Sequence, residues 1–141
     1  MMIYKNIDEL PNSWKIGFDQ AKNSLQFCVA PHHAKKIGSA LFNGNKLVSI
    51  GYNLYDKSHT FYSGIRNFLD HDKCVHSEMT ALVKRQYYGD NNLILYIYRE
   101  LKNGTIACAK PCNICMKLIK LAGVKRIRYT SNNNLYMEEK I

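Results

Sequence analysis

The chain has 141 residues, 46% of them hydrophobic and 22% charged, with a formal net charge of +9 and a pI near 9.3. That length suits a single domain over residues 1–141, and the even spread of apolar and aromatic residues excludes a disordered chain. The positive balance favours anionic partners such as nucleotides or nucleic acid, and no apolar run approaches the roughly 18 residues of a membrane span.

The first residues, MMIYKNIDEL, turn polar within a few positions and lack a basic stretch followed by an apolar run, so no secretory signal is expected. The cysteines are Cys28, Cys74, Cys108, Cys112 and Cys115. Their odd number argues for a reducing, cytoplasmic setting and against a disulfide framework. The last three crowd together, which points to metal or redox chemistry; Cys28 lies in an apolar setting and reads as core.

In chain order, residues 12–27 carry candidate caps at Asn12 or Ser13 and a loosely helical apolar spacing. Pro31 ends that run, and PHHAKKIG reads as a loop with His32 and His33 on the surface. SALFNGNKLVSIGYN is the clearest hairpin, with Asn43-Gly44 supplying residues that accept positive φ. Residues 53–74 are polar and aperiodic, a long connection of the kind that often carries function. From Val75 to Tyr88 the pattern is helical, and NNLILYIY reads as a strand buried on both faces. Residues 112–122 form a further helix with a stop at Gly123. VKRIRYTS is a strand with Ile127 and Tyr129 on one face and Arg126 and Arg128 on the other, and NNNLYMEEKI reads as a short tail with room for one helical turn. This order predicts a three-layer α/β/α sandwich around a mixed central sheet of about five strands.

Two stretches carry chemistry: CVHSEMTAL at 74–82 and AKPCNICMKLIKLAG at 109–123. On a helix, Cys112 and Cys115 are about 300° apart and so neighbours on one face. Pro111 suits a helix entrance, which puts both thiols in a first turn, where free N–H groups lower thiol pKa values. That makes a zinc half-site. A lone C-x-x-C also fits a redox pair, and Cys108 with His76 would complete a closed structural site. Glu78 favours the open alternative. In mid-helix His76 and Glu78 would point about 200° apart, so they share a focus only at a helix start. A carboxylate beside a three-ligand metal has a use, because it manages the protons of water at the fourth position.

The joint pattern of H-x-E followed by P-C-x-x-C is the signature of zinc nucleobase deaminases. Through HSE at 76–78, PCNIC at 111–115 and GYN at 51–53, the chain resembles the cytidine and deoxycytidylate deaminase superfamily over most of its length. The resemblance implies that His76, Cys112 and Cys115 hold one catalytic Zn²⁺, and that Glu78 moves protons from water to N3 of a cytosine and on to departing ammonia. It implies that Asn53 binds the substrate sugar, although a plain turn residue fits there too. Ser77 replaces the usual alanine; its backbone N–H remains able to bind the base, and Pro111 falls among the same substrate-binding residues. Tyr55 and His59, with Lys57, Phe61 and Arg66, would border the pocket mouth, where an aromatic stacks on a base or a cation meets phosphate; a solvated loop is the plain alternative. Cys74 and His71 suit a buried thiol or a second metal.

Met116-Lys117 stands where the free-nucleoside branch has Arg-Gln, and CMKLIKLAGVKRIRYT looks closest to the deoxycytidylate branch. The expected substrate is therefore a mononucleotide such as dCMP, with Lys35, Lys36, Lys57, Arg66 and Lys73 as candidates for its phosphate. The +9 charge and ten tyrosines also suit a cytidine or adenosine deaminase acting on single-stranded nucleic acid or tRNA. A third reading is a zinc-stabilised binding module without catalysis. The resemblance further implies a homo-oligomer.

Overall fold

The structure is a computed structural model that describes residues 2–4, 6–28, 35–53, 76–83 and 92–141. Its centre is a six-stranded sheet made of β1 (Met2–Tyr4), β2 (Ile37–Asn43), β3 (Lys46–Tyr52), β4 (Leu93–Arg99), β5 (Val124–Ser131) and β6 (Leu135–Lys140), in the spatial order β1-β6-β5-β4-β2-β3. β4 and β5 run parallel, and the other neighbours are antiparallel. The α-helices among the described residues are α1 (Asn12–Asn23), α2 (Ser77–Val83) and α3 (Asn113–Leu121). None is long and apolar enough to cross a membrane.

β4 explains the layering. Every residue from Leu93 to Tyr98 is buried, so both faces of the strand are covered. Leu93, Leu95 and Ile97 pack with Ala81 and Leu82 of α2 and Cys115 and Ile119 of α3. Ile94, Tyr96 and Tyr98 pack with Trp14, Phe18 and Ala21 of α1. The helices thus lie α1 on one side and α2 with α3 on the other, as expected for the sandwich. On α1 the inward residues recur at the three- and four-residue spacing of a helical stripe.

Several local expectations are corrected. The mixed sheet expected with about five strands has six among the described residues. The tail at 132–140 is a strand: Asn133 and Asn134 take φ of 61° and 59° and reverse the chain, and β6 then pairs along β5. β1 completes that edge by pairing with β6, and three residues are too few to show an alternating pattern of their own. The β2–β3 turn is centred one residue later than Asn43-Gly44. Asn43 pairs with Lys46, and Gly44 takes the positive φ of 60° at the first turn position. A register shift between Leu41 and Phe42 also breaks the alternation of β3. The helical run at 12–27 tightens to a 3₁₀ turn after Asn23. Of the helix expected from Val75 to Tyr88, Ser77–Val83 falls within the described residues.

Candidate active site

The site forms where α2 and α3 begin. α2 is seated on the sheet by hydroxyl groups. Ser39 Oγ donates to Ser77 O at 2.7 Å, and Ser49 Oγ donates to Ala81 O at 2.6 Å. Thr80 Oγ1 accepts from Tyr52 N at 2.9 Å and lies 2.9 Å from Ser77 O. Gly51 lies directly beneath, where a Cβ would come within 2.3 Å of Ser77 O and 2.5 Å of Ala81 N. The absence of a side chain there lets the helix start rest on the strand. Ser39, Ser49 and Thr80 are not indicated by the sequence pattern. The available signal is small hydroxyl residues at positions that would otherwise be apolar, Ser39 and Ser49 on strands and Thr80 on α2.

α3 is delivered by a segment sewn to β5. Ala109 N donates to Thr130 O at 2.9 Å, Thr130 Oγ1 donates to Ala107 O at 2.9 Å, and Cys108 N donates to Asn132 Oδ1 at 3.2 Å. Arg99 adds a guanidinium bond to Cys108 O at 3.3 Å. Pro111 stands one residue before the cap, at the helix entrance. Cys112 is itself the N-cap, and its sulfur accepts from Cys115 N at 3.5 Å.

These two helix starts bring three donor atoms together. His76, Cys112 and Cys115 present theirs within 4.8 Å of one another, with His76 Nδ1 3.3 Å from Cys115 Sγ and 3.6 Å from Cys112 Sγ. Cys108, the fourth ligand of a closed site, is not in this cluster. His76 immediately precedes α2 and Glu78 lies in its first turn, which is the arrangement needed for both to face one focus. Glu78 is 5% exposed, its charge bears on the Cys115 thiol, and its Oε1 accepts from Ser77 Oγ at 2.7 Å.

The two thiols are shifted in opposite directions. A hydrogen bond from the Cys115 thiol, with further ones from His76 and the Cys115 N–H, brings the Cys112 thiol down to about 4 against the opposing effect of burial. The same bond to Cys112, then burial and the Glu78 carboxylate, push the Cys115 thiol up. A partly buried thiolate, a second thiol and an imidazole converging on one point fit a thiophilic dication such as Zn²⁺, whose charge would displace the retained proton.

Asn53 ends β3. Its Oδ1 accepts from Ile37 N at 2.7 Å and its Nδ2 donates to Lys35 O at 3.4 Å, so its carboxamide ties the start of β2 to the end of β3. Cys28 is buried with its sulfur 3.4 Å from Asn53 O. Tyr55, His59, Lys57, Phe61, Arg66, Lys73, His71, Cys74, His32 and His33 lie outside the described residues.

The family model for the cytidine and deoxycytidylate deaminase zinc-binding region matches residues 15–131. Among solved structures, the cytidine deaminase from Burkholderia pseudomallei is similar, with a TM-score of 0.62 and 19% identity, covering 89% of this chain and 90% of that one. The dCMP deaminase from the cyanophage S-TIM5 is similar in its apo form, with a TM-score of 0.59 and 20% identity over 86% of this chain and 85% of that one. The same phage enzyme in complex with dCMP and dUMP gives a TM-score of 0.57 at 20% identity, covering 87% and 85%. No curated protein matches the chain. At such identities the structural likeness speaks for the fold, and the match of residues 15–131 speaks for the family: the chain belongs to the cytidine and deoxycytidylate deaminases.

Proposed function

We propose that this protein removes the amino group from cytosine in a small nucleoside or nucleotide by hydrolysis, giving the uracil form and ammonia. dCMP is the first candidate substrate and cytidine the second. The observation that carries this reading is the convergence of His76, Cys112 and Cys115 beside a helix start that holds a buried carboxylate, Glu78, whose charge bears on the Cys115 thiol. A purely structural metal site has no use for that carboxylate.

In this reading His76, Cys112 and Cys115 hold the zinc ion. Bound there, zinc would supply the Lewis acidity that makes a water nucleophilic near neutral pH. Two thiolates and a neutral imidazole would cancel the charge of such a dication, which leaves a role for a neighbouring proton acceptor, Glu78. Glu78 fills that role by accepting the water's proton as the bond to C4 forms. It then gives that proton to N3 and moves a second one to the departing amino group, so ammonia leaves neutral. Ser77 N–H, Pro111 and Asn53 are proposed to border the substrate, with Tyr55 and His59 at the mouth. The dCMP complex of the phage enzyme supports the nucleotide candidate, and the likeness to the Burkholderia cytidine deaminase supports the nucleoside.

The test is ammonia release by the zinc-loaded protein from cytidine, deoxycytidine, dCMP, single-stranded DNA and tRNA. Turnover of dCMP or cytidine is expected, and Glu78→Gln should lower it by about a hundredfold or more while zinc content holds. A parental rate in Glu78→Gln, or no release from any cytosine compound, would overturn the reading. Turnover confined to the polymers with a steep salt dependence would transfer it to nucleic acid.

A further inference from the structure

Ser77 stands where the family pattern has alanine. Its side chain is completely buried, so its hydroxyl needs a partner within the protein. That partner is Glu78: the hydroxyl donates to Oε1 at 2.7 Å, a length suited to a charge-assisted bond. The donor is firmly mounted. Ser77's own carbonyl accepts from Ser39 Oγ at 2.7 Å, Thr80 Oγ1 lies 2.9 Å from it, and Gly51 sits close below. The hydroxyl is thus carried by β2 and β3 as much as by α2. The glutamate side chain has several torsions of its own, and packing alone restrains its terminal carboxylate weakly.

We propose that Ser77 is a positioning residue for Glu78. Its hydroxyl fixes the carboxylate in the orientation that faces His76, Cys112 and Cys115, which raises the share of molecules ready for proton transfer. The inference rests on the deaminase reading above and deepens it. Alanine at 77 would remove the tether while leaving the helix, its seat on the sheet and the three metal donors in place.

The experiment compares the zinc-loaded full chain with its Ser77→Ala variant, in kinetics and in crystal structures. In the variant, zinc content and KM should stay within about twofold while kcat falls by roughly tenfold or more, the effect of losing one hydrogen bond to a charged group. The Glu78 carboxylate should occupy one conformer in the parent crystal and spread over more than one in the variant. A parental kcat with an unmoved Glu78 would refute the proposal. So would loss of zinc or of folding in Ser77→Ala, because the serine would then be structural. If the parent turns over no cytosine compound, the deaminase reading fails on that result, and the conformer comparison still decides the role of Ser77.

Discussion

At Gly51 three atoms of α2 occupy the space into which a side chain would project, the nearest at 2.3 Å. Two of them are backbone atoms of a helix start already held by Ser39 and Thr80, so they cannot swing aside. Gly51→Ala should lower the unfolding free energy by about 1–3 kcal/mol through overpacking, read from urea unfolding. It should also weaken metal binding, because His76 immediately precedes the displaced helix. The convergence of His76, Cys112 and Cys115 was legible in the chain because a metal site demands those residue types at those spacings. The hydroxyls that seat them were not. A serine at an inward strand position, such as Ser39, reads as a solvent-facing residue until the carbonyl above it is known.

Among elements, β4 and β6 mark the limits of legibility. β4 is an unbroken apolar run because both its faces are covered, and that pattern is plain in LILYIY. β6 hides its strand character. Tyr136 and Glu138 point inward together, and a buried glutamate breaks the apolar–polar alternation that would announce a strand. Its turn is equally disguised, since the asparagines that suggest a loose tail adopt left-handed backbone at Asn133 and Asn134. Replacing either with valine should cost about 1–2 kcal/mol, because a β-branched residue is penalised in that conformation. The measurement is the shift in urea midpoint, with zinc content unchanged.

Across the whole molecule, the charge count needs to be divided between surface and interior. Arg128 is 11% exposed at its side chain and lies over Trp14 and Tyr96, and with Arg126 it closes on the buried Glu138 at 2.7 and 3.2 Å. These two arginines are spent holding β5, β6 and α1 together, so part of the +9 charge is not presented to a ligand. Glu138→Leu leaves both cations without their counterion and should cost about 3–5 kcal/mol. By contrast, Lys110→Ala, which breaks the more exposed pair with Glu139, should change stability by about 0–1 kcal/mol. Urea unfolding of the two variants side by side checks the contrast. The stitching of residues 107–109 to β5 has a consequence for how the centre comes together. The sulfurs are held in place through β5, whereas the imidazole is held at the start of a helix seated on β2 and β3. The sulfur pair and the ring therefore have independent anchors on one sheet, and loosening either anchor is enough to open the centre.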